Sequence, residues 1–129
     1  MTARTATRGL RRQGFDLGLA PGRSAQATAN IRAQAIADAL GSIPRGKVAT
    51  YGQVAAAAGY PRHHRAVASL LRTMAPDAYP WHRVVGAGGA IKAPGRAAAE
   101  QRLRLRLEGV TFTGKCVRLD RHQHEFPVD

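Results

Sequence analysis

Ile31, Ala35, Ile36, Ala39 and Leu40 fall at i, i+4, i+5, i+8 and i+9, the spacing of one helical face. Thr28 or Asn30 is a fair N-cap for that helix, and Gly41 with Pro44 ends it. Lys47-Val48-Ala49 reads as a short extended stretch. Thr50 followed by Gln53 has the form of a capping box and opens an Ala-rich helix that carries Val54 and stops at Gly59, with Pro61 just beyond. A further helix begins near Arg62 or His63. Its apolar positions Ala66, Val67, Leu70, Leu71 and Met74 again share one face, and Pro76 closes it. Two helices around a Gly/Pro turn over roughly 50–75 make a helix-turn-helix. The second opens on Arg62-His63-His64-Arg65 and carries Arg72, so its first turn is basic where a recognition helix meets DNA.

The rest of the chain is shorter in its periods. Trp81 to Val85, a Gly-rich turn over 86–89, and Ala90-Ile91-Lys92 predict a small hairpin or wing. Residues 96–109 carry two periods at once. Arg102 to Leu107 alternates strictly, yet Ala99, Leu103 and Leu107 lie at i, i+4 and i+8, and Glu100 can pair with Arg104. Good helix formers dominate, so a helix ended by Gly109 is expected, with Leu105 fitting less well. Val110 to Leu119 reads as one or two strands. The expected organisation is a basic, disordered tail over 1–27, an ordered domain over 28–119 and a C-terminal tail over 120–129. The fold class is mainly α with a small β wing.

Charge adds a partner to this picture. The 129 residues suit one domain, and Lys+Arg of 20 against Asp+Glu of 8 gives a net charge of +12. Residues 1–27 contribute Arg4, Arg8, Arg11, Arg12 and Arg23 against Asp16. A chain this basic points to a polyanion such as nucleic acid, although a general Arg/Ala bias yields the same excess. No apolar run approaches the ~20 residues of a membrane span, and no apolar segment follows the Arg-rich start, so a cytoplasmic protein without membrane contact is expected. A single cysteine, Cys116, excludes an internal disulfide and a cysteine zinc cluster. His122 and His124 lack further ligands, and His63 and His64 diverge on a helix, so neither metal nor cofactor is expected. Four of seven aromatic residues, Tyr51, Tyr60, Tyr79 and Trp81, fall beside the helix-turn-helix. Aromatic rings next to cations suit a base taken out of its stack; for Tyr60 and Tyr79 a core role is the simpler reading.

At this point the sequence resembles a known family. Ile43-Pro44-Arg45-Gly46-Lys47-Val48-Ala49-Thr50-Tyr51-Gly52-Gln53 is similar to the opening of the DNA-binding domain of O6-alkylguanine-DNA alkyltransferases. Gly59-Tyr60-Pro61 with Arg65-Ala66-Val67 resembles its GxPxxxRAVG segment. Pro80-Trp81-His82-Arg83-Val84-Val85 resembles its PCHRVV active-site motif, and Glu108-Gly109-Val110 its closing EGV. Order and spacing agree over about 31–110. The family's alkyl-accepting cysteine is Trp81 here, and an indole offers no thiolate. PWHR in place of PCHR marks the alkyltransferase-like members, which bind O6-alkylguanine in DNA without repairing it and present it to nucleotide excision repair.

The resemblance therefore implies a winged-helix domain of the alkyltransferase C-terminal type and a non-enzymatic, monomeric sensor of alkylated guanine in duplex DNA. It implies that Arg65 fills the gap left by a flipped nucleotide, and that Tyr51 contacts that nucleotide. Tyr51, Leu71, Trp81 and Val84 match pocket positions, Arg62 and Arg72 phosphate contacts. His82 and Glu108 match the relay that activates the absent thiol. Cys116 lies beyond the EGV motif and receives no role. Three departures stand out. Ala68 replaces the glycine of RAVG, and Met74 stands where an Asn is frequent. The loop over 91–96 places Pro94 where some members have a sensing arginine, leaving Lys92 and Arg96 as substitutes. Two other readings stay open: residual methyltransferase activity through another acceptor, and a winged-helix module without lesion specificity.

Overall fold

The computed structural model describes residues 21–74 and 77–127. Contacts divide the chain into two units, Met1–Ile31 and Arg32–Asp129. Helix α1, Pro21–Gly41, runs through the division. Residues 21–27, expected within the basic tail, are therefore helical, and the tail's residues 1–20 lie outside the described residues, as does Pro76. Within the first unit the helix carries an i,i+4 bond from Gln26 Nε2 to Asn30 Oδ1. Ile31, placed on the apolar face by its spacing, is exposed, whereas Ala37 is buried with Ile36 and Leu40.

The second unit is built on a two-stranded parallel ladder. Strand β1, Ala49–Thr50, pairs with β2, Val84–Val85, in the register Ala49 to Val84 and Thr50 to Val85. Side chains alternate across a strand, so this short ladder feeds two cores. Ala49 and Val84 join Ile36, Leu40, Ile43, Val54 and Val67 on one side. Val48 and Val85 join Leu105, Val110 and Val117 on the other.

Helices α2, Tyr51–Ala57, and α3, His64–Thr73, form the expected helix-turn-helix. The capping box is present: Gln53 N donates to Thr50 Oγ1, and Thr50 N donates to Gln53 Oε1. Arg62 and His63 precede α3, with His63 at the N-cap position.

The expected wing between 84 and 92 is not a hairpin. Val84 and Val85 pair backwards onto β1, and the 86–90 turn is closed by Gly86 N donating to Ala90 O. The antiparallel hairpin lies further on, between β3, Phe112–Thr113, and β4, Cys116–Val117, within the stretch read as one or two strands. Ala90 bridges to Cys116, and Gly89 makes that approach feasible: its φ is +87°, and a Cβ there would collide with the Val117 carbonyl.

Helix α4, Gly95–Leu107, confirms the helical reading of this stretch but not its face. Gln101 and Leu105 are buried, while Leu103 and Leu107 are 56% and 68% exposed. The C-terminal residues are also no loose tail. Helix α5, Leu119–His122, leads into a bridge between Val48 and Gln123. His124 N donates to Val48 O, Gln53 Nε2 to His124 O, and Phe126 packs on the first core. Their polar composition concealed a backbone pairing that needs no apolar run.

Candidate nucleic-acid interface

One turn of 3₁₀ helix, Trp81–Arg83, carries the resembling motif into the structure. Buried Gln101 of α4 donates to the carbonyls of both His82 and Val84, at 3.1 and 2.8 Å, and so pins this turn. Beneath it lies a charged knot. Arg83 donates from Nε to Glu108 Oε1 at 3.0 Å and from Nη2 to Oε2 at 2.7 Å, and its Nη1 reaches Ile43 O at 2.9 Å. His82 Nε2 lies 2.7 Å from Glu108 Oε2. Gly46, in the left-handed region at φ +85°, donates its N–H to Glu108 Oε1. Burial pushes the Glu108 carboxyl up, but the bonds from Arg83, His82 and Gly46 outweigh it and hold the pKa at about 2. An ionised Glu108 accepts a hydrogen bond from the His82 Nε2–H, and His82 Nδ1 is buried without a partner among the described residues. The one cysteine of the chain, Cys116, sits on β4 and not in this turn.

Beside the turn is a cavity of about 240 Å³, smaller than the ~300–1,000 Å³ of drug-sized pockets. Tyr51, Leu71, Trp81 and Val84, the four residues expected to share a pocket, all line it, together with Arg72 and Lys92. Lys92 lies across a bare glycine: a Cβ on Gly86 would stand 2.7 Å from the Lys92 Cε. Arg96 is exposed and lines no cavity described here. Burial raises the Tyr51 pKa, with the charge of Arg72 opposing, so the ring stays a neutral phenol near pH 7. A second cavity of about 330 Å³ shares Leu71, Arg72, Trp81 and Ala97 with the first; Met74, Tyr79 and Glu100 complete its wall.

Arg62 and Arg65 are exposed at the start of α3. The His63 cap supplies no side-chain acceptor; its carbonyl takes the Ala66 N–H, which leaves the His64 and Arg65 amides without a partner among the described residues and open to an anion. Sequence reasoning missed Gln101 and Arg83. The signal for Gln101 was its i,i+4 relation to Leu105; Arg83 was visible only as part of the motif. Among the described residues no group of three His, Cys, Asp or Glu could hold a metal, and no helix is long and apolar enough to cross a membrane.

A helix-turn-helix beside an aromatic, cation-rimmed slot defines a DNA-binding domain of the alkyltransferase type, and the comparisons agree. The chain belongs to the family of the 6-O-methylguanine DNA methyltransferase DNA-binding domain, whose model matches residues 32–110. Its kinship is with the alkyltransferase-like members. Alkyltransferase-like protein 1 of Schizosaccharomyces pombe is 42% identical over 55% of this chain and 67% of that protein. The DNA base-flipping protein of Escherichia coli is 42% identical over 58% of this chain and 59% of its own length. A crystal structure of S. pombe Atl1 with damaged DNA containing O6-carboxymethylguanine superposes with a TM-score of 0.65 at 30% identity, covering 74% of this chain and 96% of that one. Mycobacterium tuberculosis OGT in complex with DNA gives a TM-score of 0.55 at 34% identity, over 59% of this chain and 48% of that one.

Proposed function

We propose that this protein is a non-enzymatic reader of O6-alkylguanine in duplex DNA, acting in the cytoplasm as a monomer. The observation that carries the reading is the cavity beside α3, with Tyr51 and Trp81 in its wall and no thiol at the motif's second position. Relatives named base-flipping proteins, and Atl1 solved on damaged DNA, support it. Flipping a nucleotide costs a few kcal/mol, least at a damaged pair. Arg65, exposed at the head of α3, is suited to enter the duplex, because a guanidinium both stacks and donates to the orphaned base. Tyr51, as a neutral phenol, contacts the flipped nucleotide. Arg62, Arg72 and the His64 and Arg65 amides at the head of α3 hold phosphates, which positions the protein without reading sequence. Lys92, the cationic loop residue in the cavity wall, is the one that meets the base. The product is a bound, marked lesion, handed to nucleotide excision repair.

The test is a pair of titrations at one salt concentration, with a duplex carrying a single O6-methylguanine and the same duplex with guanine. Tighter binding to the lesion is expected, lost in Arg65→Ala with the fold intact. Equal affinities for the two duplexes reduce the protein to a general DNA-binding module. Weighing the protein after incubation with the lesion duplex separates the remaining alternative, since a gain of one methyl group would make it an alkyltransferase.

A further inference from the structure

Trp81 is the only tryptophan of the chain and lines both cavities. A ring with open space on its sides loses the close contacts that normally fix a core side chain. The indole Nε1 gives no help, because it is buried and bonds nothing among the described residues. The backbone of Trp81 is held: its N–H donates to Tyr79 O, and Val84 N donates to its carbonyl. The ring has a different restraint. Arg104 of α4 places its guanidinium carbon 5.7 Å from the ring centroid, within the range in which a cation is drawn to an indole face. Arg104 is in turn locked from its own helix. Its Nε donates to Glu100 Oε2 at 2.9 Å, and Nη2 stands 2.6 Å from the same oxygen, an i,i+4 pair. The resembling motifs explain neither Glu100 nor Arg104, since neither belongs to the helix-turn-helix, the PWHR turn or the EGV segment.

We infer that Arg104, held by Glu100, is a positioning residue that sets the Trp81 indole in the wall of the slot. The inference rests on the lesion-reading function, because it assigns Arg104 an effect on discrimination without contact to DNA. The cation anchors the ring from α4, so the slot keeps its width before any base enters. Preorganisation of this kind favours the ligand that fits and leaves phosphate attraction untouched.

The single tryptophan makes the inference directly measurable. Arg104→Met, Arg104→Lys and Glu100→Gln are compared with the wild type for Trp81 emission and for acrylamide quenching in the free protein, with circular dichroism confirming the fold. Arg104→Met is expected to raise quenching, Arg104→Lys to restore much of the protection because it keeps a cation, and Glu100→Gln to fall between. In titrations, Arg104→Met is expected to weaken lesion binding about two- to fivefold, the worth of a partly exposed cation–π contact, with affinity for the undamaged duplex unchanged. Unchanged quenching in Arg104→Met overturns the inference. So does an equal loss on both duplexes, which would make Arg104 a phosphate contact. If the wild type itself fails to discriminate, the function proposed above falls, while the quenching series still decides whether Arg104 holds the ring.

Discussion

Glu108 accepts hydrogen bonds from three residues, Gly46, His82 and Arg83, in a space nearly closed to water: its side chain is 6% exposed. Its pKa of about 2 lies below the ordinary 4.5, so the folded state binds the proton less well than the unfolded chain. Such a carboxylate stabilises the fold fully above pH 4.5, and that contribution is lost as the pH falls toward 2. The difference corresponds to about 3 kcal/mol, close to the cost of stripping a buried ion pair of one partner. Glu108→Gln is therefore expected to lower stability at pH 7 by about 3 kcal/mol and to flatten the acid limb of the stability profile. Urea titrations between pH 7 and 3 check both; a variant as stable as wild type would remove Glu108 from the supports of the fold. At this scale the candidate site was largely legible. Tyr51, Leu71, Trp81 and Val84 were gathered by motif alone, and the structure puts them around one cavity. Gln101 and Arg104 escaped because their work is directional, toward two carbonyls and one ring face, and periodicity carries no direction.

Helix α4 shows how a correct element can carry a wrong face. Ala99, Leu103 and Leu107 repeat with helical spacing, and so do Gln101 and Leu105 on the other side. Hydrophobicity alone favoured the first set. The protein buries the second, because Gln101 is needed under the Trp81–Arg83 turn and Leu105 fills the core with Val48, Val85, Val110 and Val117. Leu105→Ala is expected to cost about 2–5 kcal/mol through the cavity it leaves. Leu103→Ala should stay within about 0.5 kcal/mol. Paired thermal denaturation curves distinguish the two, and equal losses would return the first face to the interior. Helix α2 was the opposite case. Its start was legible to the residue because a capping box is a local device, completed by Thr50 and Gln53 within one turn.

Over the whole molecule, charge was the plainest signal and topology the least legible. A net charge of +12 makes duplex binding steeply salt-dependent. With about four phosphates neutralised, the slope of log affinity on log salt is about −3.6, or roughly a hundredfold loss from 50 to 200 mM. Fluorescence anisotropy across that range measures it, and a flat response would remove phosphate contacts from the interface. The parallel pairing of residues 49–50 with 84–85 and the bridge from Val48 to Gln123 join segments far apart in the chain. No local pattern announces such partners, which is why the wing was expected one turn too early and the C-terminal residues as a tail. The ladder has a further consequence. Tyr51 follows the rung at Thr50, and Trp81 is tied by its carbonyl to the rung at Val84. Both jambs of the doorway thus hang from one two-rung hinge plate, while some thirty residues loop out between them. Exchanges at exposed positions of that stretch, such as Arg62 and Arg65, can retune how the protein meets a duplex, while Leu71 and Arg72 keep their place in the doorway's wall.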